Sequence, residues 1–341
     1  MKKVLLVFCS ALMIQIFMTL NCIAQTDSCI VKLKNANTSY EQGEYDAAIR
    51  VLISALDGCS LDKMEKIQAN KLLILSYLKV DNLEEADKTA ARIMKIDPYF
   101  QPDKFRDDPK LSALFIKYTP TPVFRLGFSG GLNFSNVKEV NSFSIVHEDA
   151  APGIDKYNNK TGFQLGLSGE YRAYKKLWIV LGFGFRQSKY EHLLYDVENT
   201  TINYEEKLSY FDIPLSFKYS ILEKTFSPYI QAGVDFSFLS SALSTTSRDN
   251  ESDLVDRFSY RNNYQTGYIC SAGATYGMKG IQLFADISYH YYPENVNKEG
   301  TRYSDLVNVF KYYYIDDDFT MNNIQINVGI SYAFTYKNLI K

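Results

Sequence analysis

Histidine is scarce in this chain, with three residues, His147, His192 and His290. Of these, His290 has a companion at a suggestive spacing. Asp286 precedes it by four residues, and in an extended segment both side chains fall on one face, where the carboxylate could orient the imidazole as a general base. Such a pair would suit a hydrolase or acyltransferase. No serine motif, cysteine–histidine pair or metal-ligand spacing accompanies it, so the pattern favours structural hydrogen bonds, and neither metal nor cofactor is expected. Asp316-Asp317-Asp318 offers three carboxylates without the spacing of a calcium loop and is expected to be a solvated loop.

Composition narrows the setting for such groups. With 37 Lys+Arg against 39 Asp+Glu the net charge is −2, which argues against a nucleic-acid partner. Tyr (27) and Phe (22) abound beside a single Trp, and the mean hydropathy is −0.21, a profile of half-exposed strands and neither of disorder nor of a helical membrane protein. The 341 residues suggest two domains. Lys2 and Lys3, the apolar run Val4 to Leu20 and the small residues of Cys22-Ile23-Ala24 predict a cleaved signal peptide over residues 1–24. A lipoprotein cut before Cys22 would want a small residue where Asn21 stands. Beyond Gln25 no stretch has the length of a spanning helix, so the mature chain is soluble in the periplasm, secreted, or a β-barrel. Export to an oxidising compartment lets nearby cysteines pair, and cleavage leaves Cys29, Cys59 and Cys270.

Residues 25–118 read as helices, with Gly43, Gly58, Pro98, Pro102 and Pro109 as punctuation. Tyr40-Glu41-Gln42-Gly43-Glu44-Tyr45-Asp46-Ala47-Ala48-Ile49 aligns with Leu78-Lys79-Val80-Asp81-Asn82-Leu83-Glu84-Glu85-Ala86-Asp87, Ala48 matching Ala86 at a spacing of 38 residues. The pattern resembles the tetratricopeptide repeat. Ala36, Gly43, Tyr45, Ala48 and Ala55 fall on family positions in the first copy, and Leu83, Ala86 and Pro98 in the second. The spacing exceeds the family's usual ~34, with Gly58-Cys59-Ser60-Leu61 the natural insertion, and Ser39 and Asp81 replace a usual aromatic and the usual turn glycine. The resemblance implies a groove faced by Asn37, Tyr40, Gln68, Lys71 and Lys79, open to a partner protein or to water. A helix hairpin brings the start of its first helix beside the end of its second, so Cys29 and Cys59 are expected to be bonded. Asp108-Pro109 is an N-cap followed by proline at the first helical position, and the helix it opens, with Leu111, Leu114, Phe115 and Tyr118 on one face, should cap the stack.

After Thr119-Pro120-Thr121-Pro122 the period changes from 3.6 to 2, marking a second domain over 119–341. Eight segments alternate: roughly 124–134, 161–173, 177–189, 206–219, 227–239, 263–277, 281–292 and 322–336. One face is apolar; the other is small or charged, carrying Arg125, Glu170, Arg172, Arg186, Asp212, Lys218, Asp235 and Asp286. A soluble sandwich also alternates. Glycines and balanced charges opposite an aliphatic and aromatic face over eight strands instead fit a barrel with lipid outside and a polar interior, and the connections between strands alternate long and short. The fold expected is therefore a helical domain followed by an eight-stranded antiparallel transmembrane β-barrel, its lumen filled by a paired charge network and too narrow for a wide pore. Cys270 falls on the apolar phase.

The strands also resemble the PorT-like outer-membrane barrels of the Bacteroidota, through Tyr210-Phe211-Asp212-Ile213-Pro214-Leu215-Ser216-Phe217-Lys218-Tyr219, Pro228-Tyr229-Ile230-Gln231-Ala232-Gly233-Val234 and the closing Ile324 to Phe334. That group's named member serves type IX secretion, and that role is not carried over to this chain from the resemblance of these strands. Lys337 to Lys341 extend past the terminal aromatic that insertion machinery commonly reads. The leading expectation is a non-enzymatic outer-membrane barrel anchoring a periplasmic protein-binding module, accessory to an envelope or secretion assembly. The alternatives are a hydrolase or acyltransferase using Asp286 and His290, and a surface receptor using the long outer loops.

Overall fold

The computed structural model describes residues 29–103, 105–143, 155–195 and 200–340; the expected leader and His147 lie outside the described residues. The chain divides into two compact units, with the break between Thr121 and Pro122 and the last residues from Tyr336 counted with the first unit.

The first unit is helical: α1 (29–41), α2 (Tyr45–Gly58), α3 (Lys63–Lys79), α4 (Leu83–Ile96) and α5 (Pro109–Ile116). Local chemistry sets its boundaries. Asp62 and Glu65 form a capping box at the start of α3, with each side chain accepting from the other's backbone N–H, at 2.7 and 2.8 Å. Asp108 caps α5 by accepting from Lys110 N, ahead of Pro109. Gly43 turns between α1 and α2 at φ 81°; at the matching turn between α3 and α4, Asp81 takes φ 57°, a left-handed conformation that aspartate tolerates better than most side chains. Ala36, Ala48, Ala55, Ala86 and Ala90 are fully buried, so neighbouring helices approach closely around Leu52, Leu73, Ile74 and Ile93. Leu111, Phe115 and Tyr118 close that core from α5 and the residues after it. Cys29 and Cys59 are joined by a disulfide.

The second unit is an antiparallel sheet. Strands β1 (Tyr118–Asn141), β2 (Asp155–Tyr174), β3 (Leu177–Tyr195), β4 (Thr201–Ser220), β5 (Phe226–Arg248), β7 (Tyr264–Met278), β8 (Ile281–Tyr291) and β9 (Asp318–Ile340) pair in order and close into a ring of eight through β9 beside β1. A ninth strand, β6 (Glu251–Asp256), folds back on β5 outside the ring order. Cross-strand register sets like with like: Leu165 opposite Phe185, Phe185 opposite Phe211, Arg125 opposite Glu170. Leu167 and Val328 on the exterior are 60% and 61% exposed, whereas Arg186 inside is 1% exposed, so the polarity of an ordinary soluble core is inverted. Tyr171, Tyr174, Tyr219, Tyr276 and Tyr332 ring the exterior near the short turns, and Tyr264, Tyr268, Tyr289 and Tyr291 near the other end. Cys270 is exposed on this same exterior.

The strands outrun their expected ends. The segment 190–205, expected to be a loop, is mostly strand, since β3 continues to Tyr195 and β4 begins at Thr201. The reason lies inside the ring: Tyr190, Ile202, Tyr204, Leu208 and Tyr210 pack there with Val296, Tyr312, Tyr314, Phe319 and Met321, a second apolar core. β4 and β5, at 20 and 23 residues, are about twice the 9–11 that a bilayer requires.

The Cys29–Cys59 bond closes a loop of 30 residues, and chain-entropy reasoning gives it roughly 3–4 kcal/mol. Replacing both cysteines with serine is expected to raise amide hydrogen exchange throughout α1 and α2 by that equivalent and leave strand peptides unchanged, as read by mass spectrometry.

Candidate functional site

The ring's interior is organised in layers. Nearest the short turns, Trp178 is buried with the Arg125 and Arg172 guanidinium groups 4.1 and 5.0 Å from its ring centre. Glu170 there pairs with Lys218 and with Arg125, and Arg172 pairs with Glu223. Above them lies a cavity of about 160 Å³, opened by the inward-facing glycines Gly166, Gly182 and Gly184 and lined across the lumen by Asp235, Asp286, Ser288 and His290. A further layer holds Arg186, bonded to Asp212 by Nε at 2.8 Å and by a terminal nitrogen at 3.2 Å. That nitrogen also donates to Ser237 and to Tyr292, whose hydroxyl donates to Asp235 at 2.7 Å.

The expected Asp286–His290 pair does not form. His290 Nδ1 lies 3.2 Å from Asp235 Oδ2, while Asp286 accepts from Tyr229 OH at 2.7 Å and Asn327 Nδ2 at 3.0 Å. At roughly 3.3 Å per residue, four residues of β8 set the two side chains far apart along the strand, and the narrow lumen brings Asp235 of β5 nearer to His290 than Asp286 is. The other ring nitrogen, Nε2, is 3.2 Å from Ser288 Oγ. With Nδ1–H donating to Asp235, Nε2 accepts from the serine hydroxyl, the order of groups in a nucleophile relay. All three side chains are buried.

At the long-connection end, the segment joining β8 to β9 folds into the mouth. Arg257 and Arg261, around a 3-10 turn (Phe258–Tyr260), both reach Asp316. Arg257 also pairs with Asp305, the N-cap of α6 (Leu306–Lys311), and Arg261 with Glu206 at 2.6 Å. The Tyr204 and Tyr314 rings stack at 4.3 Å. Burial opposes a charge on Asp316, yet the two guanidinium groups hold its carboxyl below the usual range. The aspartate run is thus no solvated loop: Asp316 and Asp317 are 3% and 1% exposed. Sequence spacing gives no sign of this, because each arginine sits more than fifty residues from its aspartate.

A model of the outer membrane protein beta-barrel domain matches residues 122–298, more than half of the chain. The chain belongs to this family. It is a protein of the outer membrane, and β9, which closes the ring, lies beyond the matched residues. No curated protein matches it. Similar solved structures include OprG from Pseudomonas aeruginosa, 14% identical over 63% of this chain and 97% of that one with a TM-score of 0.37. A major outer membrane protein from Thermus thermophilus is 17% identical over 62% of this chain and 99% of that one, TM-score 0.36. The outer membrane protease OmpT from Escherichia coli is 10% identical over 63% and 98%, TM-score 0.34.

In the helical unit the five groove residues divide. Asn37, Gln68 and Lys79 are exposed, Asn37 donating to Glu41 at 2.7 Å, and Tyr40 is half-buried with its ring 5.5 Å from that of Tyr45. Lys71 is committed within the unit: its Nζ lies 2.6 Å from Asp107 Oδ1. Burial works against the Asp107 charge, but the bonds from Lys71 and Asp103 N outweigh it and hold the carboxyl below its ordinary range. Lys71 therefore fastens the α4–α5 connection and is not available as a groove contact.

Arg261 is the group on which the mouth depends. Arg261→Ala leaves Glu206 and Asp316 facing a buried void and should destabilise the mouth by about 3–5 kcal/mol. Limited proteolysis of the folded protein should then cut within 292–317, whereas Lys311→Ala, which removes an exposed pair with Asp253, should leave the digestion pattern unchanged.

Proposed function

We propose that this protein is a non-enzymatic outer-membrane anchor whose helical unit lies in the periplasm and binds another protein. The observation that carries the reading is the filled lumen. Among the described residues the interior between the Trp178 layer and the mouth is side chains and a cavity of about 160 Å³, room for a few waters and not a path for solutes. A barrel without a passage contributes attachment. Short turns, here 174 to 177, 220 to 226 and 278 to 281, face the periplasm in outer-membrane barrels. β1 starts from that end, and the helices precede β1 in the chain. Their likeness to tetratricopeptide repeats, and the strands' likeness to PorT-like barrels, support a role as an accessory of an envelope or secretion assembly. Asn37, Tyr40, Gln68 and Lys79 are the contact candidates.

Placing a photo-crosslinking residue at Gln68 in intact cells should capture one periplasmic or outer-membrane protein. Tyr40→Ala with Gln68→Ala should abolish capture and co-purification, while the heat-dependent shift in gel migration stays. Undiminished co-purification would remove the groove from the proposal.

One observation favours a second, hydrolytic reading: the Ser288–His290–Asp235 order. An active-site phosphonate that labels the folded wild type and spares Ser288→Ala would establish that reading. Absence of label would leave the relay as a structural bond, the outcome expected from its small cavity.

A further inference from the structure

Three side chains from three elements converge at the mouth. Asp155 opens β2, His192 lies near the end of β3 and Asp317 immediately precedes β9, and one ligand atom from each falls within 4.8 Å of the others. We propose that these three residues form a site for a divalent first-row transition cation, with zinc the best fit.

The surroundings of each group point to a ligand. Within the aspartate run the two flanking residues have guanidinium partners: Asp316 has Arg257 and Arg261, and Asp318 has Arg302. Asp317, between them and 1% exposed, has no lysine or arginine partner among the described residues, and neither does Asp155. Glu139 adds a third carboxyl whose charge is felt at the same place. An enclosed carboxylate beside further acids lacks a compensating positive charge. Burial pushes the Asp317 carboxyl up, and Asp155 adds to the rise, although Tyr157 OH and Phe143 N each donate to it at 2.7 Å. Those two donors also fix the carboxylate's orientation, as the outer partners of metal ligands do.

His192 is oriented in the same manner. Its ring stacks on Tyr157 at 3.9 Å, and Nδ1 is 3.2 Å from Tyr314 OH. Nε2 lies 2.6 Å from Asp155 Oδ1, so that a proton on Nε2, with Tyr314 OH donating to Nδ1, bridges the two groups when no metal is bound. Two negative-to-neutral acceptors at that separation require a proton or a cation between them. A metal ion would replace the proton and bind Asp317 in the same step. One imidazole with two carboxylates suits zinc and its first-row neighbours; an all-oxygen set would suit calcium or magnesium, and a thiolate set copper(I). Because the ligands come from β2, β3 and the plug segment, the bound ion would pin the plug to the wall.

The test uses the full chain, folded in detergent micelles, stripped with a chelator and desalted. Added zinc should be retained at one ion per chain and should raise the temperature of the heat-dependent migration shift. Manganese should bind more weakly and calcium not at all. Asp155→Asn, at the most exposed of the three positions, should weaken zinc binding at least tenfold with migration otherwise normal, and Asp317→Asn should do the same. A wild type that retains no zinc would overturn the proposal and leave the His192–Asp155 contact as a structural hydrogen bond. Retention unchanged in Asp155→Asn and Asp317→Asn would overturn it as well.

Discussion

An eight-stranded ring has no room for bulk water, so every charge pointed inwards must find its partner among the other strands. That constraint governs the second unit. Lipid on the outside accepts no charge, and alternation sends every second residue to the inside, where the sequence places acids and bases in near balance. Arg186 meets Asp212 across neighbouring strands, Lys218 and Arg125 share Glu170, and Arg261 ties β4 to the segment ahead of β9. The Arg261 pairs join elements 55 residues apart in the chain. Such pairs add little net stability over an apolar filling, but a broken one is costly, so they specify one register and one plug position.

The ring itself is legible in the sequence because membrane strands obey a strict rule: outward apolar, inward small or charged. Where that rule lapses, reading fails. Beyond the bilayer the interior is free to be apolar, so Tyr190, Tyr204 and Leu208 point inwards and the simple contrast between faces disappears; strands there look like loops. The aspartate run is misleading for another cause. Its neutralising arginines lie in the β5–β7 connection, and no local pattern reports a pairing made by the fold of two loops over one mouth.

The same distinction between local and non-local explains the histidines. Asp286 and His290 share a face, which spacing reveals, yet the partner of His290 is Asp235 on β5, two strands away round the ring. In a wide barrel, strand neighbours would dominate; in a narrow one, side chains crossing the lumen compete with them. The helical unit shows the converse. Its caps, its buried alanines and its cysteine ends are local features that spacing exposes directly, whereas Lys71, a groove residue by resemblance, instead meets Asp107, contributed by the α4–α5 connection.

The distribution of order bears on which part of the protein acts. A lumen packed with aromatic rings and paired charges gains fixity at the expense of passage, and the inward glycines relieve that packing around a small cavity. Stability of this kind suits a part that holds position. The glycine and aspartate turns of the helical unit, its exposed Gln68 and Lys79, and its division from the barrel at Thr121 leave a surface with polar groups not consumed by internal pairing. Recognition needs groups free to exchange water for a partner. Inside the barrel the arginines and lysines of the described pairs are spent on carboxylates; on the helices Gln68 and Lys79 are exposed, and that contrast is the physical reason to look there for the protein's binding chemistry.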